Sequence, residues 1–193
     1  MKESLQLKGI IACICEGSAE EAIIEVLLRH DCLIFRTEDL LEGKVLHTRS
    51  AKEFAKRYLR KEFQSPITVL RVLDSRKEQF ELPKGYEDKV QIVNIITAPE
   101  IEMLIILSEG KYEEFLKQFR KSRQKPSDFC VSELKLRDVK TKQFVSEYFS
   151  DVKLLISAIQ EYHRIKQLPS GEKSLFDLLR PGVSAGVSGD GSR

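Results

Sequence analysis

The stretch Ile10-Ile11-Ala12-Cys13-Ile14-Cys15-Glu16-Gly17 decides how this chain reads. Six small or apolar residues follow one another and stop at a carboxylate and a glycine. A short run of this kind, followed by a helical pattern, describes a strand covered on both faces, as in a parallel sheet. Two further runs have the same form. Ile67-Thr68-Val69-Leu70-Arg71-Val72-Leu73 ends at Asp74, and Val90-Gln91-Ile92-Val93-Asn94-Ile95-Ile96 ends at Thr97, with Glu100 and Glu102 close behind. Ligands of such sheets bind in the crevice at the carboxyl ends of the strands. Acids gathered there repel one another unless a cation or a shared proton neutralises them. A divalent metal site is therefore the first expectation.

Outward from these runs, strands and helices alternate. Between Ser18 and Arg29, Ala19, Ala22, Ile23, Val26 and Leu27 share one helical face, and Ser18 and Glu21 have capping-box spacing. Cys32-Leu33-Ile34-Phe35 reads as a second strand. A helix over residues 50–63 opens with Ser50 and Glu53, buries Ala51, Phe54, Ala55, Tyr58 and Leu59, and carries a basic stripe of Lys52, Lys56 and Arg60. A helix over 99–108 follows the third run. From Lys111 the pattern is only helical, with Tyr112, Phe115, Leu116 and Phe119 on one side and Lys117, Arg120, Lys121 and Arg123 around them; further helices span 140–149 and 151–166, and a last turn 175–179.

The expected architecture is α/β: a small, mainly parallel four-stranded sheet flanked by helices over residues 1–125, then a helical extension over 126–180 packed on it. Residues 181–193, rich in Gly, Ser and Val without periodicity, are expected to form a flexible tail.

At 193 residues, one domain with a sizeable core is expected. The balance of 32 basic against 30 acidic residues excludes a simple polycation and leaves room for a local basic face. Cys13, Cys15, Cys32 and Cys130 form no CxxC pair, which argues against structural zinc or a disulfide framework and fits a reducing cytoplasm. No secretory leader and no run of about 20 apolar residues is visible, so a soluble, cytoplasmic protein without a membrane is expected. There is no phosphate loop, no GxGxxG and no Ser/His/Asp set, and His30, His47 and His163 lack metal-ligand spacing. These absences count against a P-loop NTPase, a Rossmann dehydrogenase and a nucleophile-elbow hydrolase.

Each acid has two readings. Glu16 is either a ligand or a strand end that stabilises the following helix dipole. Asp74 is either a ligand or a turn former before Ser75. Glu100 completes a capping box with Thr97 around Pro99, whereas Glu102 lies in a helix apolar nearly all round, where a carboxylate must be paired or metal-bound. The stripe Lys52, Lys56, Arg60 and the run from Lys117 to Lys125 are either solvated helix faces or a track for a phosphate backbone. Lys125, held before Pro126-Ser127, is the candidate for a rigid phosphate contact.

The segment Ile11-Ala12-Cys13-Ile14-Cys15-Glu16-Gly17-Ser18-Ala19-Glu20 resembles the first motif of TOPRIM domains, an apolar strand ending in Glu-Gly with another acid shortly after. Val72-Leu73-Asp74 resembles the start of the second motif. Thr97-Ala98-Pro99-Glu100-Ile101-Glu102 is similar to the Pro-x-x-Glu helix of the RloB-like branch, which with OLD-type proteins serves as a nuclease in bacterial defence. The likeness covers about residues 8–125. It implies a metal-dependent nuclease cleaving DNA or RNA in prokaryotic anti-phage defence, beside a partner such as a sensor protein or ATPase. Glu16 would act as general acid/base or metal ligand, Asp74 would hold Mg²⁺ or Mn²⁺, and Glu20 and Glu102 would be supporting acids. Lys125 would join the catalytic set, with Lys52, Lys56, Arg60, Arg76 and Lys121 as nucleic-acid contacts. One departure is plain: the family's Asp-x-Asp is here Asp74-Ser75-Arg76, a cation in place of the second acid. The competing expectation is a non-catalytic module that binds a protein or nucleic-acid partner through the same fold.

Overall fold

A computed structural model describes residues 5–60, 65–86, 89–97, 101–166 and 168–183. The three apolar runs form β1 (Ile10–Cys15), β2 (Ile67–Leu73) and β3 (Val90–Ile96), a parallel sheet in the order β1-β2-β3. Register aligns Ile10, Ile67 and Val90 at one end and Cys15, Val72 and Ile95 at the other. The carboxyl ends of all three strands therefore share one edge.

Alternation along the strands divides the core into two layers. Ile11, Cys13, Cys15, Leu70, Val72, Val93 and Ile95 face a large apolar cluster with α1 (Ser18–Arg29) and α3 (Glu102–Ser108). Ala12, Ile14, Ile67, Val69 and Val90 face the opposite layer, built from α2 (Ala51–Phe54), the π-helical turn Ala55–Leu59 that continues it, Phe80 and Leu82. The remaining helices are α4 (Tyr112–Ser122), α5 (Pro126–Ser132), α6 (Lys142–Tyr148) and α7 (Val152–Ile165). Phe129, Val145, Leu155 and Ile159 from this C-terminal part lie in the same cluster as Cys13 and Leu70. α3 is apolar nearly all round because α4, α5 and α7 all pack on it. All four cysteines are buried free thiols. Among the described residues no helix is long and apolar enough to cross a membrane.

Among the described residues the sheet has three strands, where four were expected. Cys32-Leu33-Ile34-Phe35 lies outside it and meets the chain's far end instead: Leu33 bridges Leu179, the Ile34 N–H donates to the Leu178 carbonyl at 2.9 Å, and the Arg180 N–H donates to the Cys32 carbonyl at 2.8 Å. Beside β1, among the described residues, run two single bridges, from Leu40 and Leu46. Left-handed backbone at Glu42 and two 3-10 turns, Thr37–Asp39 and Leu41–Gly43, prevent this segment from lying flat along β1.

The caps divide in the same way. Ser50 accepts the Glu53 N–H at 3.3 Å as its spacing predicts. Ser18 does not cap α1: Gly17 holds that position, the Ser18 hydroxyl donates to the Lys140 carbonyl at 3.0 Å, and Glu21 pairs with Lys142. The end of the helix that α2 begins, the Thr97–Glu100 capping box, and the tail beyond Val183 lie outside the described residues.

Candidate carboxylate site

β1 delivers Glu16 and β2 delivers Asp74 to the same edge. The Glu16 N–H donates to the Val72 carbonyl at 3.1 Å, which continues the ladder one residue past β1. The Asp74 N–H then donates to Oε2 of Glu16 at 3.2 Å. The side chains of Asp74 and Glu78 act on the Glu16 carboxyl as well. Burial first, and these two acids second, push the Glu16 carboxyl up to about 7. A carboxyl that titrates there can give or take a proton at neutral pH.

Glu20 extends the group from the first turn of α1. Its side chain is buried and turns back toward Gly17; burial first, then the charges of Asp74 and Glu102, raise its carboxyl. The curl explains Gly17. Backbone φ there is −123°, open to any residue, but a β-carbon would lie 2.5 Å from Oε2 of Glu20. The glycine is needed for space, not for a special turn. Glu102, at the start of α3, is 2 % exposed and lies 3.1 Å from the Lys140 ammonium. That pairing accounts for a carboxylate inside an apolar helix.

Three positions absent from the sequence expectations complete the surroundings. Arg71, in the middle of β2, is 2 % exposed, stacks over the Phe80 ring at 4.9 Å and meets Oε2 of Glu78 at 3.1 Å. Burial lowers the pKa of its guanidinium, and Glu78 and then Glu16 counteract this. Arg71 thus tethers the loop after β2 and brings Glu78 to Glu16. Its signal was legible, because a charge inside an apolar run must find a partner. Glu78, on an aperiodic loop, had none. Arg49 donates to the Glu16 carbonyl at 2.7 Å and fixes the backbone at the turn.

The expected cations do not gather at these acids. Arg76 forms a two-pronged pair with Glu172, at 2.6 and 3.0 Å. Lys52, Lys56, Arg60, Lys121 and Lys125 are exposed and, among the described residues, pair with no carboxylate. Lys125 caps α5 through its carbonyl, which accepts the Phe129 N–H.

Among the described residues no three His, Cys, Asp or Glu side chains close on one metal position. Mg²⁺ rarely needs such a cage, since it usually binds one or two carboxylates and keeps waters for a phosphate to replace. Glu16 and Asp74 are hard oxygen donors from adjacent strands and fit that mode. No protein-family model, curated protein or solved structure matches this chain.

Proposed function

We propose that this protein is a metal-dependent nuclease of TOPRIM type. The meeting of Glu16 and Asp74 at the carboxyl edge of a parallel sheet carries this reading, because charges that repel in isolation invite a divalent cation and a phosphate. Mg²⁺ or Mn²⁺, held by Glu16 and Asp74, supplies positive charge at the phosphate and a more acidic water. Glu16 would serve the ion as a ligand, and its carboxyl, raised by burial and by Asp74 and Glu78 in the metal-free protein, would be lowered again by that positive charge. Asp74 orients Glu16 through its N–H, and Glu78 with Arg71 sets its charge. Glu20, backed by Glu102 and Lys140, supports the group. The exposed cations Lys52, Lys56, Arg60, Lys121 and Lys125 offer contacts to a nucleic-acid backbone. The setting is a prokaryotic cytoplasm and an anti-phage system that includes a sensor or ATPase partner.

The second reading, a non-catalytic binding module, is favoured by Arg76. It stands where the family carries its second aspartate, and Glu172 engages it.

Purified protein incubated with single- and double-stranded DNA and with RNA, in Mg²⁺, Mn²⁺ or chelator, tests the choice. Cleavage that needs metal and disappears in Glu16→Gln and Asp74→Asn, with unchanged circular dichroism, supports the enzyme. Metal-independent binding without cleavage of any substrate overturns it in favour of the module.

A further inference from the structure

The two groups of exposed cations lie on opposite faces of the sheet. Lys121 and Lys125 belong to α4 and the start of α5, whose Phe115 and Phe129 pack in the cluster with α1 and α3. Lys52, Lys56 and Arg60 lie along α2 and the π-helical turn that continues it, on the other face. Glu16 shares that second face. It stands two residues beyond Ile14, which packs there, and its backbone continues the ladder, so strand alternation carries its side chain to the same side. Arg49, just before α2, links the two by donating to the Glu16 carbonyl at 2.7 Å.

Positive charge is concentrated on this face. Residues 42–60 hold six lysines and arginines against Glu42 and Glu53, a surplus of four in a chain whose net charge is +2, so the remainder is net acidic. Lys44, His47, Arg49 and Arg57 line an open cleft of about 520 Å³. Glu42, on the same cleft, is shared between Arg57 at 3.1 Å and Lys44 at 3.5 Å. Among the described residues Arg49, Lys52, Lys56 and Arg60 pair with no carboxylate. The face is polar as well as charged. The exposed large hydrophobic side chains Ile92, Phe119, Val131 and Phe176 all lie elsewhere, and the segment's own Phe54 and Tyr58 are buried. A membrane would find no apolar side to bury here, and an unpaired base no phenyl or phenol ring to stack on. A duplex, whose bases already stack on one another, needs only charge.

We propose that the face over residues 44–60 binds duplex nucleic acid through its phosphates, beside Glu16. The choice of partner rests on the nuclease reading, to which the proposal adds the face and the strandedness. Contacts of this kind fix position without reading sequence.

Fluorescence anisotropy of labelled DNA and RNA duplexes, and of one strand of each, is measured in chelator so that cleavage plays no part. A duplex is expected to bind several-fold more tightly than its single strand. The combined variant Lys44→Gln, Lys52→Gln, Lys56→Gln, all at exposed side chains, is expected to weaken duplex binding by about ten-fold or more. The slope of log affinity against log salt should fall by about one for each cation removed, which a loss of folding would not produce. Should that variant fail to fold, Lys52→Glu alone is read in the same way. No saturable duplex binding, tighter binding of the single strand, or polyglutamate that competes equally at equal charge overturns the proposal. So does a larger loss from Lys121→Gln with Lys125→Gln, although that result leaves the nuclease reading intact. Duplex binding on this face without cleavage in Mg²⁺ or Mn²⁺ supports the proposal and removes the nuclease reading.

Discussion

Arg71 lies 3.1 Å from Glu78, and the two are unequally buried: the arginine side chain is 2 % exposed and the glutamate 32 %. Removing either partner should therefore cost different amounts. Glu78→Gln leaves a cation buried in the middle strand with its counter-charge gone, and is expected to destabilise by about 2–4 kcal/mol. Arg71→Met leaves a glutamate that can turn to water and keeps an apolar contact with Phe80, so its cost is expected to be about 1 kcal/mol. Urea denaturation of both variants tests the order. An arginine variant less stable than the glutamate variant would contradict it.

The 2.5 Å approach at Gly17 makes a second test. The obstructing atom is the end of a flexible side chain, so Gly17→Ala should displace the Glu20 carboxylate more than it unfolds the protein. About 1 kcal/mol is expected, part of it from placing alanine at an N-cap. In a Glu20→Ala background the same substitution should cost less, because nothing remains to collide with. A double-mutant cycle reads the coupling directly, and strict additivity would refute the contact.

The three parallel strands could be read because each is an uninterrupted apolar run, and a strand buried on both faces has no other way to look. Once they are parallel, the shared edge of Glu16 and Asp74 follows without further information. Cys32-Leu33-Ile34-Phe35 has the same local appearance, but what pairs with it is the chain around Leu179, and no local pattern announces a partner that distant. Ser18 misleads for a related reason. Its spacing to Glu21 suits a cap, but Lys140 and Lys142, brought in by the start of α6, take the two side chains elsewhere. Arg71 sat in plain view inside β2. Glu78 could be placed only through it.

The raised Glu16 carboxyl has a consequence for stability. Its folded pKa of about 7 lies above the 4.5 of a free glutamate side chain. Between those values the folded state holds a proton that the unfolded state has released, so stability falls as pH rises through the interval. Below about 4.5 the contribution is fully present, and above about 7 it is lost. Glu20 shifts in the same direction. Glu16→Gln keeps the neutral form at every pH, so its melting temperature should fall less than that of the unaltered protein between pH 5 and pH 8. Melting curves across that range decide it, and parallel curves would remove the shift from Glu16.

Arg76 separates the two functional readings. Its pair with Glu172 leaves the arginine side chain 46 % exposed, so the contact should contribute about 1 kcal/mol or less. Arg76→Asp replaces the cation with the acid that the TOPRIM second motif carries. If Glu16 and Asp74 hold a divalent ion, the added carboxylate should tighten Mn²⁺ binding by about ten-fold or more, measured by calorimetry with folding checked by circular dichroism. If the edge is only a binding surface, Mn²⁺ affinity should stay undetectable in both forms. Because the substitution costs little stability, Mn²⁺ binding that is undetectable in both folded forms would count against the metal site itself.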